Sequence, residues 1–120
     1  MDPLVLELQR DADAPARARE AVRRLEPLLG ERGTDDATLL VSELVTNAVM
    51  HGSGPIELRF AAQDRRARFE ISDAGGGATP ALREAGGALP GGFGLHLVDR
   101  IAERWGVRRA SMHVWFELGL

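Results

Sequence analysis

Two runs of alternating apolar residues, joined by a short polar link, do most to limit how this chain folds. Ile56, Leu58 and Phe60 alternate in the first run; Ala67, Phe69 and Ile71 alternate in the second. A period of two puts each set on one side of an extended strand. The link Gln63-Asp64-Arg65-Arg66 is of hairpin length, whereas a parallel pair needs a crossover of about a dozen residues or more. The same adjacency recurs at the end of the chain, where Val107 to Ala110 and Met112 to Leu118 read as a second hairpin. There Met112, Val114, Phe116 and Leu118 form one face. Near the start, Leu4, Leu6 and Leu8 mark one more short strand.

Between the strands the period changes to that of a helix. Asp11-Ala12-Asp13-Ala14-Pro15 carries helix-start chemistry, and Ala18, Ala21, Val22, Leu25, Leu28 and Leu29 follow at helical spacing. Pro27 lacks a backbone donor, so the last turn of this helix is expected to kink or fray, with Gly30 and Gly33 closing it. Thr34-Asp35-Asp36 reads as the cap of a second helix that runs to about His51. Its stripe is Leu40, Val41, Leu44, Val45, Ala48 and Val49. A third helix is expected from about Gly94, with Leu95, Val98, Ile101, Ala102 and Trp105 facing inward and Gly106 ending it. Strands that come in adjacent pairs predict an α+β fold: a two-layer sandwich whose mixed, mostly antiparallel sheet of about five strands carries three helices on one face. At 120 residues and 13.0 kDa the chain is sized for a single domain, residues 1–120.

Composition removes several classes of function. All fifteen basic residues are arginine, scattered among eighteen acids for a net charge of −3, and no cluster builds the basic face that nucleic acid requires. No secretory signal and no membrane-spanning segment is evident, so the expected location is cytoplasmic. The absence of cysteine excludes disulfides, thiolate metal sites and a cysteine nucleophile. No Gly-x-Ser-x-Gly elbow is present, and His51, His96 and His113 lack zinc-ligand spacing.

Three groups of residues carry chemistry. Glu43, Asn47 and His51 are four apart and line one edge of the second helix, beside the Leu40, Leu44 and Ala48 row. Such an edge is either solvated and self-paired, or half-buried and in need of partners. Asp73 continues the inward phase of Ala67, Phe69 and Ile71, so it either begins an ordinary Asp-Gly turn or sets a carboxylate at the floor of a cleft, able to accept from an exocyclic amino group. Eight glycines then fall within residues 74–94, a stretch that reads as a lid or binding loop or as simple disorder, with 74–93 expected to be poorly ordered without ligand. It ends in Gly91-Gly92-Phe93-Gly94-Leu95, either a flexible connector or a helix start whose free N–H groups meet an anion.

Taken in order, the Glu-x-x-x-Asn helix, the strand ending Asp-x-Gly-x-Gly, the glycine-rich loop and the Gly-x-Gly-Leu helix start resemble the GHKL superfamily with its Bergerat ATP-binding fold. The phrase Leu40-Val41-Ser42-Glu43-Leu44-Val45-Thr46-Asn47-Ala48-Val49 is similar to the N-box of the small anti-sigma factor and serine-protein kinase family common in actinobacteria. Asp99-Arg100-Ile101-Ala102-Glu103-Arg104-Trp105-Gly106-Val107 and Val114-Trp115-Phe116-Glu117-Leu118 also resemble that family, so the likeness spans roughly residues 4 to 118.

The resemblance implies a serine/threonine-protein kinase that uses ATP and Mg²⁺. Asn47 would hold the ion and Glu43 would be the catalytic general base. Asp73 would take the adenine amino group, Gly75 and Gly77 would let the backbone pass the purine, and Gly92, Gly94 and Leu95 would line the phosphates, with His51 near the nucleotide. It further implies a homodimer that binds a sigma factor and an anti-anti-sigma (STAS-type) protein, regulating transcription without touching nucleic acid or membrane. The alternative is a partner-binding module of the same fold. Two positions depart from the family pattern. His113 stands in or near the place of a threonine expected beside the adenine-binding aspartate, and the lid's basic residue, Arg83, lies well upstream of the Gly-x-Gly. No phosphoacceptor-histidine segment precedes the domain, which argues against a sensor histidine kinase.

Overall fold

The computed structural model describes residues 4–74, 92–108 and 113–120. These residues form strand β1 (Leu4–Leu8), helices α1 (Ala14–Arg23) and α2 (Glu26–His51), strands β2 (Ile56–Gln63) and β3 (Arg66–Ser72), helix α3 (Gly92–Ile101), and strands β4 (Arg104–Arg108) and β5 (His113–Gly119). The strands make one antiparallel sheet in the order β1-β2-β3-β5-β4. The α+β architecture, five strands with three helices, is the one the paired alternation predicts.

The central hairpin closes through Asp64 and Arg65, both at positive φ (53° and 63°), the backbone of a tight two-residue turn. Its register pairs Leu58 with Ile71 and Phe60 with Phe69, and β5 continues the row by placing Phe116 opposite Phe69. All of these side chains are buried, together with Val41, Leu44 and Val45 of α2 and Val98 of α3. α2 packs on β2, β3 and β5 and between the other two helices. The inward residues of the sheet and the apolar stripe of α2 therefore share one core.

The helices differ from expectation in where they begin. α1 stops at Arg23. Pro27 does not fray an ending helix: it stands in the first turn of α2, where a missing N–H costs nothing. α2 bends at Gly30 (φ 76°, ψ 169°) and is helical again before Thr34 is reached, so Thr34 is a buried interior residue and not a cap. At the start of α1 the capping is displaced too. Asp13 makes no side-chain cap bond, whereas Asp11 Oδ1 accepts from the Asp13 N–H at 2.9 Å and from Arg17 Nη2 at 2.8 Å. α3 ends at Ile101, so Trp105 and Gly106 belong to β4 and not to a longer third helix. Trp105 still faces the helix layer, opposite Phe116, and its Nε1–H donates to Asp99 Oδ1 of α3 at 2.9 Å.

Candidate functional site

Glu43, Asn47 and His51 lie along the last part of α2, each step of four residues rising about 6 Å. All three are half-buried, bordering the buried Leu40, Leu44 and Ala48. The neighbouring polar groups are occupied: Ser42 Oγ accepts from Arg19 Nη1 of α1 at 2.8 Å, and the Thr46 hydroxyl donates to the Ser42 carbonyl at 2.8 Å. Asn47 is different. Its Oδ1 is buried, and no donor among the described residues reaches it. A buried acceptor left unmatched costs about 1–3 kcal/mol, a cost that a donor or cation brought to it would relieve. The Glu43 side chain, one turn earlier, makes no hydrogen bond or ion pair with another described residue.

The end of α2 is stitched to the end of β3. Gly52 N–H donates to the Ala48 carbonyl at 2.9 Å, which ends the helix, and Arg10 Nη1 donates to the Val49 carbonyl at 2.8 Å. Ala74 N–H donates to the Ser53 carbonyl at 2.9 Å, drawing the residues after β3 against the turn after α2. Asp73 follows the buried Phe69 and Ile71 in phase, is half-buried, and sets its carboxyl group directly against Gly52. Gly52 lies about 7–8 Å along the helix axis beyond Asn47. Asp73 therefore meets α2 at the end that carries Asn47 and His51.

The third group is placed in part. Gly92 and Gly94 stand in the first turn of α3, which packs against α2. Leu95 is 5% exposed and belongs to the core cluster, so its own side chain is a packing group. Gly75, Gly77, Arg83 and nearly all of the expected lid lie outside the described residues.

One expectation is corrected. His113 pairs with Ser72, and its ring lies on the sheet face opposite the helices, with Nε2 2.7 Å from Glu70 Oε1. It does not stand beside Asp73 in place of a threonine. Residues 109–112 lie outside the described residues. Around His113, Glu70 also accepts from Arg68 Nε at 2.7 Å. Arg68 in turn reaches Glu117 at 3.1 Å and lies 4.0 Å over the Trp115 ring. Burial, the largest single influence on Glu70, pushes its carboxyl up, but the bonds from Arg68 and His113 and their charges together bring it below the usual glutamate range.

The residues present suit a magnesium nucleotide. Asn47 offers a hard oxygen donor. That donor matches an ion that keeps waters and draws most of its ligands from phosphates. The sequence alone did not single out Gly52, although its signal was visible: a glycine directly after His51, where the chain leaves α2.

A family model, the histidine kinase-like ATPase domain, matches residues 8–117. The chain belongs to this family. Among solved structures, the RsbU and RsbW domains of Rv1364c from Mycobacterium tuberculosis are similar with a TM-score of 0.71 and 20% identity, over 98% of this chain and 32% of that one. At that identity the likeness is one of fold, and the chain spans about a third of the length of that protein. No curated protein matches the sequence. Membership in the histidine kinase-like ATPase family implies ATP binding. It sets Glu43, Asn47 and Asp73 in a domain type built around a nucleotide. Among the described residues no helix is long and apolar enough to cross a membrane.

Proposed function

We propose that this domain binds Mg-ATP and transfers the γ-phosphoryl group to a serine hydroxyl of a protein antagonist of the anti-anti-sigma (STAS) type. The observation that carries the reading is the buried, unmatched Asn47 Oδ1, one turn beyond Glu43 on an α2 edge whose far end meets Asp73. Mg²⁺ bound at Asn47 would neutralise phosphate charge. Asp73 would accept from the adenine amino group, and the N–H groups at the start of α3 would face the phosphates. Glu43 would take the proton from the serine hydroxyl as its oxygen attacks the γ-phosphorus and the bond to the ADP oxygen breaks. Phosphoryl transfer asks chiefly for alignment and charge neutralisation, so few groups suffice. The family resemblance extends the proposal to capture of a sigma factor and to a cytoplasmic homodimer.

The test is incubation of the protein with Mg-ATP and a STAS-type protein, with phosphoserine read by mass spectrometry and ATP affinity by calorimetry. We expect Glu43→Ala to lower transfer by about 100-fold or more while ATP still binds, and Asn47→Ala to abolish Mg-ATP binding without unfolding the protein. No ATP binding by the wild type at millimolar nucleotide overturns the reading. Binding with no transfer leaves the partner-capture module of the same fold.

A further inference from the structure

We propose that Gly52 is a positioning residue: by carrying no side chain it sets where the Asp73 carboxylate rests, and through Asp73 it determines preference for a 6-aminopurine. The inference rests on the nucleotide reading above. A Cβ added at Gly52 would overlap Asp73 Oδ2, stand 2.8 Å from Asp73 Cγ and meet the Ala48 carbonyl oxygen at 2.7 Å, so the carboxyl group occupies most of the volume that any other residue would fill. Backbone conformation is not the reason for the glycine, because φ −93° and ψ −166° are open to all residues. The carboxyl group has little room to step aside within its own segment. The next residue, Ala74, is tied by its N–H to the Ser53 carbonyl, and its Cβ lies 2.8 Å from where a Cβ on Gly54 would stand. Two side-chain-free positions, Gly52 and Gly54, thus admit residues 73 and 74 against the end of α2. A side chain at Gly52 would drive the Asp73 oxygens away from the helix end and out of reach of a base held beside Asn47.

The experiment compares ATP with inosine triphosphate, which has a carbonyl oxygen where adenine has its amino group and so gives Asp73 no donor. Calorimetry with Mg²⁺ on the wild type should show a preference for ATP of about tenfold or more, the size expected for one hydrogen bond to a charged acceptor. Gly52→Ala should lose that preference by weakening ATP, with the affinity for inosine triphosphate kept within about threefold. A general loss of structure would lower both alike. An unchanged ATP-to-inosine ratio in Gly52→Ala overturns the role given to Gly52. Equal affinities in the wild type overturn instead the reading of Asp73 as the purine acceptor. Asp73→Ala supplies a second route. If Gly52 acts on the base through Asp73, adding Gly52→Ala to Asp73→Ala should leave the ATP-to-inosine ratio unchanged, while the remaining contact with the Ala48 carbonyl lowers the melting temperature. Should Gly52→Ala fail to fold, a larger folded fraction in the Asp73→Ala background supports the inference and one no larger overturns it.

Discussion

Gly30 holds φ 76° and ψ 169°, a region that residues with a Cβ essentially avoid. Nothing lies within 4 Å of where its Cβ would stand, so substitution meets backbone strain and no clash. Gly30→Ala should therefore destabilise the protein by about 1–3 kcal/mol, lowering the urea midpoint with an unchanged slope. The bend also accounts for Thr34. A helical threonine commonly returns its hydroxyl to the carbonyl four residues back, but that residue is Gly30, which is out of helical geometry. The hydroxyl is left buried with no partner among the described residues. The break at Gly30 was legible in the sequence; the return to helix before Thr34 was not. Leu25, Leu28 and Leu29 suit the end of one helix or the start of the next equally well, and Thr34-Asp35-Asp36 has the composition of a cap. Only the local backbone decides between the two.

At the level of elements, the outer face of β3 and β5 is an ionic layer in which Glu70 is the shared acceptor of Arg68 and His113. With its carboxyl held below the usual range, Glu70 contributes stability that is fully present above the ordinary glutamate value of ~4.3 and is lost as pH falls through the lower folded value. Glu70→Gln should lower the denaturation midpoint at neutral pH and flatten the acid side of the pH profile, the two proteins converging as the medium becomes strongly acidic. Equal midpoints at every pH would contradict this account. The strands themselves were readable, since alternation and a short link dictate both pairing and phase. That alternation already set Met112, Val114, Phe116 and Leu118 on one face and hence His113 on the other. At His113 the family position and the strand phase disagree, and the backbone follows the phase.

For the molecule as a whole, three phenylalanines bind the central strands into one unit. Phe69 of β3 sits between Phe60 of β2 and Phe116 of β5, with ring centroids 5.0 and 5.1 Å away and all three rings at most 1% exposed. Phe69→Ala should cost about 3–5 kcal/mol and lower the thermal midpoint as seen by every probe at once, because the cavity opens in the shared core. A transition that splits into separate steps would show that the layers are not one cooperative unit. Half of the candidate site was equally open to reading, because Glu43 and Asn47 depend only on the period of one helix. The other half was not. The meeting of Asp73 with Gly52 joins positions separated by the whole β2–β3 hairpin, and it exists only once the sheet has closed against α2.

The two tryptophans of the chain occupy neighbouring strands yet look in opposite directions. Trp105 faces the helices and is hydrogen-bonded to α3, whose first turn holds Gly92 and Gly94; Trp115 lies on the far side of the sheet beneath Arg68. The molecule thus carries two native fluorophores, one on the helix side of the sheet and the other on the reverse. Emission spectra of single-tryptophan versions can assign each binding event to a side without any added dye.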